Sequence, residues 1–213
     1  MKSNYMQGDT IVKWKEVWKY RSFRQTTIIG VIVFTVLLII FPFFFNIIES
    51  KKGFEMSDPF LDSIPAINLS IPIFIIIWGM GIFTVYRCIQ DPSIFIMFLW
   101  GFIGMSLLRI ITISFLTLEP PYSLVELKDP VTSIFYGNKF ITKDLFFSGH
   151  TATQFLMFLS FQKKSDKILA LISTIAIGIM VLFQHVHYTV DVIAAPLFTF
   201  IAYKLTKTFL VSV

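Results

Sequence analysis

Long apolar stretches alternate with short polar ones along the whole chain, and six apolar segments stand out, at about residues 27–48, 64–86, 93–116, 147–161, 168–183 and 190–205. A helix crossing the hydrocarbon core of a bilayer needs ~20 predominantly apolar residues. The first three segments meet that length. The last three are short, and reach it by extending into their flanks or by lying beside re-entrant structure. The pattern predicts an all-α membrane protein, a six-transmembrane-helix bundle spanning residues 27–205, with 1–26 ahead of it and a short tail, 206–213, behind. No internal repeat or low-complexity linker interrupts the bundle.

Composition agrees, since 55% of the residues are hydrophobic and 15% charged, with a mean hydropathy of +0.76 that lies far from that of a water-soluble domain. Charge then orients the bundle. Twelve of the 18 Lys and Arg residues fall on one side of it: Lys2, Lys13, Lys15, Lys19, Arg21, Arg24, Arg87, Lys163, Lys164, Lys167, Lys204 and Lys207. Six fall on the other: Lys51, Lys52, Arg109, Lys128, Lys139 and Lys143. The richer side is expected to be cytoplasmic. Both termini then lie inside, and the two longest loops, about 49–63 and 117–146, face the periplasm or exterior.

The formal charge of +5 is accounted for by this bias, so nucleic acid is not an expected partner. Cys88 is the only cysteine, which excludes an intrachain disulfide and a cysteine-rich metal site. In the basic segment 1–26, Ile11, Trp14 and Trp18 recur at helical spacing among charged residues, as in a helix lying in the headgroup layer or a plain orienting tether. No small-residue cleavage site follows the first apolar run, which therefore reads as an anchor.

The three histidines, His150, His185 and His187, all lie near ends of segments on the same outer side. His187 and Asp191 stand four apart, so on a helix they share a face, and the carboxylate can orient the imidazole as a nucleophile or base. A carboxylate in a membrane segment is costly to keep without a role. The second cluster runs Asp144-Leu145-Phe146-Phe147-Ser148-Gly149-His150-Thr151. Ser148 is a natural N-cap and Gly149 allows close backbone approach, so free N–H groups at a helix start could receive an anionic oxygen. His150 beside that cradle could protonate a leaving alkoxide or deprotonate an incoming hydroxyl.

Ser148-Gly149-His150-Thr151 and His187-Tyr188-Thr189-Val190-Asp191-Val192 resemble the two signature motifs of the sphingomyelin synthase-like branch of the type 2 phosphatidic acid phosphatase (PAP2) superfamily. The Asp144 to Ser148 spacing, Leu108-Arg109-Ile110-Ile111-Thr112 before Pro120-Pro121 and, more weakly, Asp58-Pro59-Phe60-Leu61-Asp62 extend the resemblance over about residues 58–195. It implies the six-span fold. It also implies that His187 becomes phosphohistidine, Asp191 orients it, and His150 is general acid and then base, which matches the reading of the residues themselves. Ser148, Gly149, Arg109, Asp144 and Lys143 become the substrate-binding candidates, with Arg109 neutralising phosphate oxygens and Lys143 a weaker cation. His185 and Tyr188 are supporting residues beside the nucleophile.

This sequence departs from the broader superfamily, which carries a Lys and Arg-Pro motif and a Ser-Arg pair before the nucleophilic histidine; Met180-Val181 stands at the latter place. A cation-poor pocket suits a phosphodiester better than a more highly charged monoester. Thr142-Lys143 stands where the eukaryotic synthases resemble Cys-Gly, which leaves the headgroup open.

The expected activity is transfer of a phospho-headgroup from a glycerophospholipid donor to a lipid alcohol such as ceramide or diacylglycerol, in the membrane and without cofactor or metal. A lipid phosphate phosphatase with water as acceptor is the alternative, and a membrane scaffold or transporter of the same fold a further one. The histidine–aspartate set could also be a polar contact locking the bundle, or in principle a zinc site, though zinc gives Ser148-Gly149 no use. Arg109 could snorkel to the outer surface, Asp144 could cap a turn, and His185 could be an interface residue without a role. The Phe-rich run at 41–45 reads as lipid-facing or packing surface.

Overall fold

The computed structural model describes residues 14–127 and 141–212. Ile11 and Lys13 in the basic leading segment, Lys128 and Lys139 in the long loop and the final residue of the tail lie outside the described residues. The described chain is helical, with no strand among the described residues and an isolated parallel bridge between Phe54 and Leu118. Eight helices follow in order: α1 (Trp14–Val17), α2 (Arg21–Ser50), α3 (Pro59–Asp62), α4 (Ser70–Gln90), α5 (Pro92–Phe115), α6 (Gly149–Ser160), α7 (Lys164–Phe183) and α8 (Thr189–Ser212).

Five of these, α2, α4, α5, α7 and α8, are long and apolar enough to cross a membrane. The expected sixth, over 147–161, forms the 12-residue α6, about 18 Å long at 1.5 Å per residue. Proline chemistry moves other boundaries. The segment expected from residue 64 becomes helical at Ser70, which places Pro72 in the first turn, where a missing N–H leaves no helical bond unmade. Pro92 opens α5, with Asp91 as its cap accepting from the Ser93 N–H at 2.8 Å.

The 12-residue α6 packs against α4, α5, α7 and α8, and α5 likewise meets four helices, α2, α4, α6 and α8. Small residues permit the close approaches. A Cβ on Gly101 of α5 would stand 2.8 Å from Leu156 Cδ1 of α6, and one on Gly178 of α7 would stand 3.1 Å from Val192 Cγ1 of α8. At one end of the bundle, Arg87 near the end of α4 is ion-paired with the buried Asp166 in the first turn of α7, Nε to Oδ2 at 2.8 Å. The site residues gather at the other end, where α5 and α7 finish and α6 and α8 begin.

Candidate active site

The start of α6 is built first by its cap. Ser148, wholly buried, holds Oγ 3.4 Å from the Thr151 N–H and 3.2 Å from the Thr151 hydroxyl, so the next residues, Gly149 and His150, open the helix. The Ser148 N–H donates to the Asp191 carbonyl at 3.1 Å, tying this helix start to the first turn of α8. The two catalytic candidates meet across that junction, since the His150 and His187 rings lie with centroids 5.9 Å apart, edge to face.

Asp191 is 0% exposed and His187 3%. Asp191 Oδ2 accepts from the Tyr188 N–H at 3.0 Å and lies 3.5 Å from His187 Nδ1. That separation is longer than a well-formed hydrogen bond. His187 Nδ1 and Asp191 Oδ1 are buried without a hydrogen-bond partner among the described residues. The i, i+4 pairing expected from sequence is thus present, although His187 itself precedes α8 and only Asp191 is helical.

Arg109, in the last third of α5, turns its guanidinium onto the start of α6. Nε donates to the Phe147 carbonyl at 3.0 Å, Nη2 pairs with Asp144, and Nη1 lies over Gly149, where an added Cβ would stand 2.5 Å from it. A side chain at position 149 would force the guanidinium to shift from this place. Three residues on, Thr112 donates its hydroxyl to the Phe146 carbonyl at 2.9 Å. The face of α5 carrying Arg109 and Thr112 thus holds the non-helical residues 141–148 in place. Arg109 does not snorkel to the surface, its side chain being 12% exposed.

Lys143 is placed differently. Its ammonium donates to Glu119 Oε1 at 2.9 Å and to the Lys51 carbonyl at 2.5 Å, while its N–H, with that of Thr142, donates to Glu49 Oε1, both at 2.7 Å. It fastens the outer loops together. The Lys143 hydrogen bond, helped by the Gly53 N–H, holds the Glu119 carboxyl below its ordinary value.

The supporting residues are tied to the same loops. His185 adopts φ 54°, an uncommon backbone conformation for a residue with a side chain, and its Nδ1 is hydrogen-bonded to the Ser123 hydroxyl. The Tyr188 hydroxyl donates to the Glu119 carbonyl at 3.0 Å, and burial pushes its phenol above the ordinary range, keeping it a donor. Gln184, wholly buried, accepts from the Leu69 N–H at 2.5 Å and donates to Ser70 Oγ at 2.9 Å. Sequence reasoning did not single out Thr112, Glu49, Glu119 or Gln184 for these roles, because their partners are distant loop carbonyls and amides that leave no local pattern.

Among the described residues no group of three or more His, Cys, Asp or Glu side chains is arranged to hold a metal ion. What is assembled is a pair of close imidazoles, one backed by a carboxylate, beside a capped helix start overlaid by a guanidinium. Such a set can attack phosphorus, neutralise phosphate oxygens and shuttle a proton. Residues 143–208 match the family model described as PAP2 superfamily C-terminal. Comparison with curated proteins gave no match. The family match supports membership of the PAP2 superfamily and suggests lipid phosphatase or phosphotransferase activity.

Proposed function

We propose, from the PAP2 superfamily membership that this match supports, that the protein is an integral membrane lipid phosphotransferase of the sphingomyelin synthase-like branch. The observation that carries the reading is the 5.9 Å approach of the His150 and His187 rings with Asp191 buried behind His187. His187 Nε2 attacks phosphorus of a glycerophospholipid; the bond from phosphorus to the glycerol oxygen breaks, and His150 protonates the departing alkoxide. The headgroup is then held as phosphohistidine. His150 next removes the proton from a lipid alcohol, whose oxygen attacks phosphorus as the N–P bond breaks and His187 is restored. Arg109 and the N–H groups at the start of α6 stabilise the phosphate oxygens.

Among the described residues the two candidate phosphate-binding cations are already engaged, which favours transfer of a diester headgroup over hydrolysis of a monoester. Lys143 is engaged by Glu119, and the charge of Arg109 is partly offset by Asp144. The reading includes six crossings, because the 12-residue α6 is preceded by the non-helical residues 141–148, and helix plus lead-in together traverse the ~30 Å core. Both termini are cytoplasmic, and the site is reached from the periplasmic or exterior leaflet.

The test is mass-resolved lipid turnover by purified protein in liposomes holding headgroup-labelled phospholipids and ceramide, with wild type beside His187→Ala. A His187-dependent labelled headgroup on ceramide is expected. Labelled free phosphate or free phospho-headgroup with no lipid product would instead make the protein a hydrolase. Full retention of the cellular role by a His150→Ala, His187→Ala double variant would overturn catalysis altogether.

A further inference from the structure

The nucleophile sits on a turn, and something must hold that turn still. Thr189 lies two residues after His187 and two before Asp191, and it opens α8. Its N–H donates to Asp58 Oδ2 at 2.6 Å and its hydroxyl to Asp58 Oδ1 at 3.1 Å, across 131 positions of sequence. The same carboxylate caps α3, Oδ1 accepting from the Leu61 N–H at 3.1 Å. Asp58 is 9% exposed.

We propose that Asp58 is a positioning residue for the phosphotransfer reaction, capping the catalytic helix α8 in trans so that the His187–Asp191 turn is fixed against the start of α6. The inference rests on the function proposed above. Its physical basis is that the first N–H groups of a helix lack intrahelical partners, and a carboxylate placed on them satisfies donors while meeting the positive end of the helix. A cap from the same chain segment would come from residue 188, but Tyr188 has no short acceptor side chain and its N–H is already given to Asp191. Asp58 supplies that missing cap. Burial opposes its charge, yet the bonds from Thr189, Leu61 and Phe60 outweigh burial and hold the carboxyl below its ordinary value, so it is ionised whenever the site works near neutral pH. With Thr189 held from outside and the Ser148 N–H bound to the Asp191 carbonyl, the turn is anchored at both faces.

The test compares the full-length Asp58→Ala, Asp58→Asn and Asp62→Ala variants, Asp62 being the exposed carboxylate at the far end of α3. Amide hydrogen exchange over residues 187–192 is read alongside kcat and KM in the liposome assay described above. Asp58→Ala is expected to speed exchange over 187–192 at least tenfold, leave α4 and α5 within twofold, and lower kcat at least tenfold with KM within threefold. Asp58→Asn keeps one carbonyl oxygen and should fall between, and Asp62→Ala should match wild type. Exchange within twofold of wild type in Asp58→Ala, or a uniform rise over every helix that Asp58→Asn does not relieve, would overturn the proposal. Exchange needs no substrate, so wild-type protein inactive on all of these lipids would sink the phosphotransfer reading while the exchange arm still decides the anchor.

Discussion

Gly149 shows most directly how one residue sets the geometry of the candidate site. It lacks the single carbon that would collide with the Arg109 guanidinium at the start of α6. Arg109 is fixed on its other edges by the Phe147 carbonyl and Asp144, so it cannot yield without giving up those partners. Gly149→Ala is expected to displace the guanidinium and reduce kcat by about 10²–10³-fold, the scale of losing one stabiliser of developing phosphate charge. The melting temperature should fall only modestly, because Thr112 and Glu49 still hold residues 141–148 when Arg109 is displaced. Turnover and thermal melts of the same preparation check this; an equal fall in both would point to a folding defect instead. If His187 is the nucleophile proposed above, its 3.5 Å separation from Asp191 is expected to shorten when a phosphate ester binds.

Among the elements, the loop system deserves as much weight as the helices, because the segment 141–148 has no helical bonds of its own. It is held by Glu49 at the end of α2, by Arg109 and Thr112 of α5, and by the Lys143–Glu119 pair. Glu119 has its carboxyl depressed, so the sign is fixed: its contribution is fully present above the ordinary glutamate value, about pH 4.3, and is lost as pH falls through the lower value of the folded protein. Glu119→Gln should therefore melt below wild type at pH 6, and the gap should close as the pH is brought toward 3. Thermal melts of both proteins across that range test it. A gap of constant size would mean that the charge of Glu119 plays no part in the clasp.

At the level of the whole molecule, the residues expected to act together are gathered at one end of the bundle, and the Arg87–Asp166 pair lies at the other. The six-span arrangement proposed above makes these ends face opposite sides of the membrane. With Cys88→Ser as background, a cysteine at position 52 (Lys52→Cys) is expected to react with a membrane-impermeant maleimide in intact cells. One at position 164 (Lys164→Cys) should react only after permeabilisation. Labelling of both in intact cells would refute the placement of positions 52 and 164 on opposite sides of the bilayer. Both positions are solvent-exposed in the fold, so failure to label reflects sidedness rather than burial.

The apolar segments, the N-cap serine and the i, i+4 spacing of His187 and Asp191 were legible in the sequence because each is a local pattern: hydropathy, a capping residue, a helical period. Those patterns located every long helix and named the two motifs that come together. They could not show that α6 stops at 12 residues, since apolar character continues upstream through Phe146 and Phe147 while the backbone there is taken by bonds to Arg109 and Thr112. Nor could they assign Lys143 to Glu119 or Asp58 to Thr189, pairs separated by 24 and 131 positions. A buried polar atom takes whichever partner the packed helices bring within reach, and only the tertiary structure determines that choice.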